Sequence, residues 1–212
     1  ITLSGTKTLD AGNGTRTLRE GEFSFRITEV TAENSTEPKK DADGDPVYQE
    51  VVSNLADGSY SKTITYSKAD AGTHYYLVEE VIPDDAVNNE KAGMTYDDTR
   101  YTVVVTVTDD GEGTLTAVST NHTGRDFANT YRASSTLALT AEKELTGRTL
   151  KAGEFSFTLT SQNGAPAAEK TTVTNAQDGT ITWSINFDQN DIGKIYAYEL
   201  SEVSGSLNGV IY

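Results

Sequence analysis

Tyr101-Thr-Val-Val-Val-Thr-Val-Thr108 is the stretch on which the fold assignment turns. At period two it puts Tyr101, Val103, Val105 and Val107 on one face and mostly threonine on the other, as in a half-buried strand. Glu22-Phe-Ser-Phe-Arg-Ile27 does the same with Phe23, Phe25 and Ile27. Threonine, valine, tyrosine and isoleucine suit a pleated surface better than a crowded helical turn. Turn signals punctuate such runs: Asp57-Gly58, Asp70-Ala71-Gly72, Asp110-Gly111 and Asp178-Gly179. No capped amphipathic segment of helical length is found. The pattern predicts an all-β fold, a sandwich of short antiparallel strands.

Composition narrows the function. The 212 residues carry 17 basic and 32 acidic side chains, a formal charge of −15, and 35% hydrophobic residues. That apolar content separates the chain from a disordered acidic tail and allows a core in one large or two modest domains. An acidic surface repels phosphate backbones, so nucleic acid is not an expected partner. No apolar run approaches the roughly 20 residues of a membrane helix, so no membrane insertion is expected. The chain has no cysteine, which excludes disulfides, thiolate catalysis and Cys-based metal sites, and only His74 and His122 besides. No metal or cofactor is expected. Beginning at Ile1 without a charged-then-apolar leader, the chain is expected to be an excised or mature piece.

The chain also repeats itself. Arg16-Thr-Leu-Arg-Glu-Gly-Glu-Phe-Ser-Phe-Arg-Ile-Thr28 returns as Arg148-Thr-Leu-Lys-Ala-Gly-Glu-Phe-Ser-Phe-Thr-Leu-Thr160, with nine of thirteen positions identical. Leu3 to Leu9 matches Leu139 to Leu145, Ile64 to Val81 matches Ile185 to Val203, and Gly93-Met-Thr-Tyr96 resembles Gly209-Val-Ile-Tyr212. The period is one domain long, so tandem modules are expected at 1–133 and 134–212. The second is expected to lack its C-terminal strands, from the one matching 101–108 onward. Such a sandwich would expose unpaired edges. Cleavage, disorder or a strand from another chain would each account for it.

Three polar residues fall on apolar strand faces. Lys7 shares its phase with Leu3 and Leu9, as Lys143 does with Leu139, Ala141 and Leu145. Tyr196, Tyr198, Leu200 and Glu202 share a face, which through the repeat selects Tyr76, Val78 and Glu80 over the adjacent Glu79. Asn129 alternates with Phe127 and Tyr131. Each has an ordinary reading alone: a snorkelling lysine, a glutamate in a salt bridge, an asparagine satisfying backbone groups. Together, and with lysine and glutamate duplicated, they point to chemistry that removes charge, because unpaired buried charges are costly. A lysine in apolar surroundings becomes a neutral nucleophile, and a buried glutamic acid stays protonated and can polarise a carboxamide. Attack of the Lys7 amine on the Asn129 carboxamide, with Glu80 shuttling protons, would expel ammonia and leave an isopeptide amide.

Lys7-Thr-Leu, Arg16-Thr-Leu-x-x-Gly-Glu-Phe-Ser-Phe, Asp70-x-Gly, the tyrosine strand ending at Glu80, Tyr96-Asp97 and Phe127-x-Asn129-x-Tyr131 together resemble the pilin isopeptide-linkage domain. That family occurs in FctA-like (T-antigen) backbone pilins and long surface adhesins of Gram-positive bacteria. The resemblance covers the first module and most of the second. It implies tandem immunoglobulin-like (CnaB-related) sandwiches. It also implies Lys7 as amine donor, Asn129 as acceptor and Glu80 as promoter of a self-formed bond. In module two Lys143 and Glu202 correspond, with no matching asparagine, so Lys143 is expected to be an unpaired crosslink lysine.

The implied function is a structural stalk or shaft module of a cell-wall-anchored surface protein or pilus. Its partners would be neighbouring modules, and its chemistry a single self-directed turnover and not enzymatic. The rival reading is an adhesin module that binds a host protein or glycan through loops 32–47 or 84–95. Neither loop contains an aromatic, and Tyr48 borders the first. A third reading, an accessory domain of a secreted hydrolase, would need a catalytic domain elsewhere. Asp41-Ala-Asp-Gly-Asp-Pro46 has Pro46 where a calcium loop needs its turn glycine, and is expected to be a solvated acidic loop. The Tyr-Pro-Lys and Leu-Pro-x-Thr-Gly motifs of pilus assembly and sorting are not in these residues, so the resemblance does not extend to covalent polymerisation of this piece.

Overall fold

The computed structural model describes residues 1–212, with fifteen strands and two single 3-10 turns, at Lys68–Asp70 and Gln189–Asp191. No helix is long and apolar enough to cross a membrane. The chain is all-β. It divides into two compact units, Ile1–Ala11 with Thr15–Tyr131, and Gly12–Gly14 with Arg132–Tyr212.

Unit one contains β1 (Thr2–Asp10), β2 (Ser24–Val30), β3 (Gln49–Ser53), β4 (Ser59–Thr63), β5 (Gly72–Glu80), β6 (Glu90–Lys91), β7 (Met94–Thr95), β8 (Arg100–Asp109), β9 (Leu115–Val118) and β10 (Phe127–Tyr131). They form two five-stranded sheets, β4-β1-β10-β7-β6 and β3-β2-β5-β8-β9. Val103, Val105 and Val107 are buried along β8, as its alternation predicts. They meet Phe25, Ile27, Tyr76 and Val78 of their own sheet and Leu3, Tyr60, Met94 and Phe127 of the other. The Phe25 ring stacks at 4.0 Å on Tyr60 and at 5.1 Å on Phe127, so aromatic contacts join the sheets across the core.

One pairing departs from the antiparallel rule. β10 returns to lie parallel to β1, with Lys7 opposite Phe127 and Leu9 opposite Asn129. The first and last strands of the unit are therefore neighbours running in one direction. Period two also fails in β2, where Ile27, Thr28, Glu29 and Val30 are all buried. The segment 31–47 folds over the outer face there. Lys39 N–H donates to Glu29 C=O at 2.8 Å, and the Lys39 ammonium meets the Glu29 carboxylate at 2.7 Å.

Unit two contains β11 (Ser134–Glu142), β12 (Ser156–Gln162), β13 (Thr172–Thr174), β14 (Thr180–Asp188) and β15 (Ala197–Glu202), in sheets β11-β14 and β13-β12-β15. Its core gathers Phe155, Phe157, Leu159, Ala168, Ile181, Trp183 and Ile185.

The repeated segments do the same work in each unit. Arg16 pairs with Glu22 and Arg148 with Glu154, closing the turn that leads into the Phe-Ser-Phe strands. A buried asparagine comes just after β3 and after β13. Asn54 Oδ1 accepts the Phe23 N–H at 2.8 Å while its amide donates to the Arg19 and Leu55 carbonyls. Asn175 likewise accepts from Phe155 at 2.9 Å and donates to Lys151 and Ala176. The Asp-Gly turn after it packs on the lysine strand. Gly58 and Gly179 have φ of +87° and +93°, and a Cβ there would lie 2.3 or 2.4 Å from the carbonyl oxygen of Lys7 or Lys143. Asn54→Ala would strand the buried Phe23 N–H and take one of two donors from each of the Arg19 and Leu55 carbonyls, so a loss of about 1–3 kcal/mol is expected. Denaturant unfolding checks this, and an unchanged midpoint would refute the hub.

Candidate functional site

Lys7 on β1 and Asn129 on β10 come from one sheet, and Glu80 at the end of β5 comes from the other. All three are buried, with exposures of 2%, 0% and 5%. The Lys7 Nζ donates to Glu80 Oε2 at 2.6 Å, and the Asn129 Nδ2 donates to Glu80 Oε1 at 2.7 Å. One carboxylate therefore bridges the amine and the carboxamide. The remaining polar atom, Asn129 Oδ1, accepts the Asp97 backbone N–H at 2.8 Å. That bond fixes the orientation of the carboxamide: oxygen toward a donor, nitrogen toward the carboxylate.

The surroundings explain the electrostatics. The Lys7 ammonium sits 4.7 Å from the centroid of the Phe23 ring, and Phe25 lies opposite Glu80 in the β2·β5 register. Burial holds the Lys7 amine below the ordinary lysine value, against the raising pull of its hydrogen bond to Glu80 and the nearby carboxylates. Burial likewise pushes the Glu80 carboxyl up, against the lowering effect of Lys7 and Asn129. Both directions favour moving the proton from lysine to glutamate. A polar pocket of about 230 Å³ lined by Arg26, Glu79, Asp84, Asp98 and Arg100 reaches Glu80. Glu79 itself points away from the core and pairs with Arg26 and Arg100.

In unit two, Lys143 lies just past β11 and Glu202 ends β15. The Lys143 Nζ donates to both carboxylate oxygens of Glu202, at 2.8 and 2.9 Å, and lies 4.5 Å from the Phe155 ring centroid. The pair repeats that of unit one, but both of its carboxylate oxygens face lysine, where in unit one Glu80 Oε1 takes the Asn129 carboxamide. Its side chains are more open, at 17% and 26% exposure against zero for Lys7 and Glu80.

The sequence reading gives no site role to three residues, Phe23, Phe155 and Asp97. Phe23 and Phe155 supply the ring beneath each lysine, and their signal is the duplicated Phe-Ser-Phe. Asp97 contributes through its peptide N–H, which no residue type announces. Its carboxylate accepts the Ala128 N–H at 2.7 Å and the Thr99 N–H at 2.9 Å, tying β10 to the turn that carries the donor.

Elsewhere, Tyr48 is packed on the core in an edge contact with Tyr76 at 5.7 Å. In the acidic loop, the Asp41 carboxylate accepts the N–H groups of Asp43 and Asp45, both at 3.0 Å. No group of three or more His, Asp or Glu side chains is placed to hold a metal ion.

A family model described as "Spy0128-like isopeptide containing domain" matches residues 3–132 and again 139–212, nearly the whole chain. The major pilin of Streptococcus pyogenes aligns at 20% identity and TM-score 0.42, covering 96% of this chain and 82% of its own. The T-13 major pilin of Streptococcus pyogenes aligns at 23% identity and TM-score 0.38, with the same coverages. No curated protein matches the chain by sequence.

Proposed function

The chain belongs to the Spy0128-like isopeptide-containing domain family, and from that premise we propose that unit one locks itself with a Lys7–Asn129 isopeptide bond promoted by Glu80. One observation carries the reading: a single buried carboxylate hydrogen-bonded to both the amine and the carboxamide. Glu80 Oε2 takes a proton from the Lys7 ammonium. The neutral Nζ attacks Asn129 Cγ, and its second proton passes by way of the carboxyl group to Nδ2. The Cγ–Nδ2 bond breaks, ammonia leaves, and an Nζ–Cγ amide remains. With donor and acceptor held in a water-poor core, enforced proximity can supply roughly 7–11 kcal/mol of the barrier.

The register supports a mechanical role. The bond would join the first and last strands of unit one, which lie parallel, so tension entering at β1 would pass to β10 without unravelling the strands between. The protein is on this reading a stalk module of an extracellular, cell-wall-anchored surface protein or pilus, with neighbouring modules as its partners. It reacts once with itself and is not a turnover enzyme. Lys143 and Glu202 are the corresponding donor and promoter of unit two.

The pH dependence tests this. Lowering of Lys7 and raising of Glu80 moves one proton within the pair without changing the number bound. The reactive fraction is therefore constant from the pH at which the pair takes a second proton to that at which it loses its last. Freshly synthesised protein, followed by intact mass, should lose ammonia at a rate that stays flat with pH around neutrality. A solvent-exposed lysine would instead quicken about tenfold per pH unit. A rate rising in that way, or no loss at all, would overturn the proposal.

A further inference from the structure

We infer that the Asp97 peptide N–H is a catalytic group of the crosslinking reaction, an oxyanion donor for the tetrahedral intermediate at Asn129; this rests on the isopeptide reading above. When the Lys7 Nζ attacks Cγ, the C=O π electrons move onto Oδ1, and the negative charge develops on that atom. The Asp97 N–H already donates to it at 2.8 Å in the unreacted pair, aimed at the atom on which the charge develops. The intermediate's charge remains on the same atom until the Cγ–Nδ2 bond breaks, so the donor need not move. The site is buried, which makes one fixed dipole worth far more than it would be in water. No other hydrogen bond to Oδ1 is present.

The Asp97 side chain holds this donor in place. Its two oxygens accept the N–H groups of Thr99, in its own turn, and of Ala128, next to the acceptor asparagine. Burial alone would raise its carboxyl, but those bonds outweigh it and keep the group below its usual value. The carboxylate's charge is thus occupied by donors away from Oδ1. The same peptide N–H also lowers the Glu80 carboxyl value. Proton transfer from Lys7 thus creates the nucleophile beside a donor already set on Oδ1.

The test monitors ammonia loss by intact mass in cell-free synthesis. Three chains are compared: wild type, Asp97→Ala, and a chain in which suppressor tRNA inserts the α-hydroxy counterpart of aspartate at 97. The last replaces the N–H by an ester oxygen and keeps the carboxylate. An oxyanion role predicts slowing of about 10²–10³-fold for the ester. Asp97→Ala, which keeps the N–H but loses two positioning bonds, should be slowed less. A merely structural role predicts the reverse order, since the alanine variant loses two hydrogen bonds and the ester one. Protease resistance equal to that of Lys7→Ala confirms folding of each chain. If the ester chain fails that check, Asp97→Ala still decides: crosslinking abolished in a folded Asp97→Ala overturns the inference. So does an ester that reacts at the wild-type rate. A wild type that never loses ammonia refutes the isopeptide reading itself, an outcome distinct from both.

Discussion

Lys7→Ala is expected to leave the protein at the full mass of its sequence, while the wild type weighs one ammonia less. Only the Lys7 amine shares the buried Glu80 carboxylate with Asn129, so its removal ends the reaction and leaves no substitute nucleophile in the core. Stability should track mass. A bond from Lys7 to Asn129 closes a loop of more than a hundred residues, and by the chain-entropy argument for a disulfide contributes roughly 4–5 kcal/mol. Asn129→Ala keeps the Lys7–Glu80 pair and removes the acceptor together with its bonds to Glu80 and the Asp97 N–H, so its loss includes that contribution and sets an upper bound on it. For a unit of this size, its melting temperature should fall by roughly 10–20 °C relative to the wild type. Reductants should change nothing, since the chain has no cysteine. Intact mass and calorimetry check both statements. A wild type at full sequence mass would sink the crosslink.

How much of this could be seen in the sequence depended on whether a side chain or the backbone carried the signal. The alternation of Val103, Val105 and Val107 directly marked the core face of β8. Glu79 and Glu80 could not be separated by local pattern, and the second copy separated them: Glu202 shares a face with Tyr198, and its equivalent Glu80 is buried, whereas Glu79 pairs with arginines. The parallel approach of β10 to β1 left no local trace, because pairing between strands more than a hundred residues apart is a property of the closed sandwich. The burial of Glu29 was hidden for a related reason. Alternation presumes one wet face, and the 31–47 segment covers the face that should have been wet. Asn54 and Asn175 repeat beside their Asp-Gly turns, so comparing the copies exposes them, but they sit just past strand ends where period two says nothing. Asp97 is harder still, since a peptide N–H belongs to every residue but proline.

Glu80→Ala should cost more than loss of the crosslink alone. Without the carboxylate, no group takes the Lys7 proton, so the variant should keep its full mass. It also leaves a lysine in the core with no partner, a change worth roughly 3–5 kcal/mol when one member of a buried pair is removed. The two penalties share a residue and need not add. They differ, however, in pH dependence. With Glu80 gone, burial still lowers the Lys7 value, and the largest opposing influence has been removed. The unfolded chain then binds more protons than the folded one from that lowered value up to the ordinary lysine value. Stability must therefore rise with pH across the window and be poorest below it. Glu80→Ala should melt lower than Asn129→Ala at neutral pH and recover part of the difference by about pH 9–10. Asn129→Ala, whose pair stays net neutral, should show no such recovery. Glu80→Gln separates chemistry from packing, because it keeps the shape of the side chain but cannot accept the proton. It too should stay at full mass, and a Glu80→Gln protein found one ammonia light would remove glutamate from the reaction.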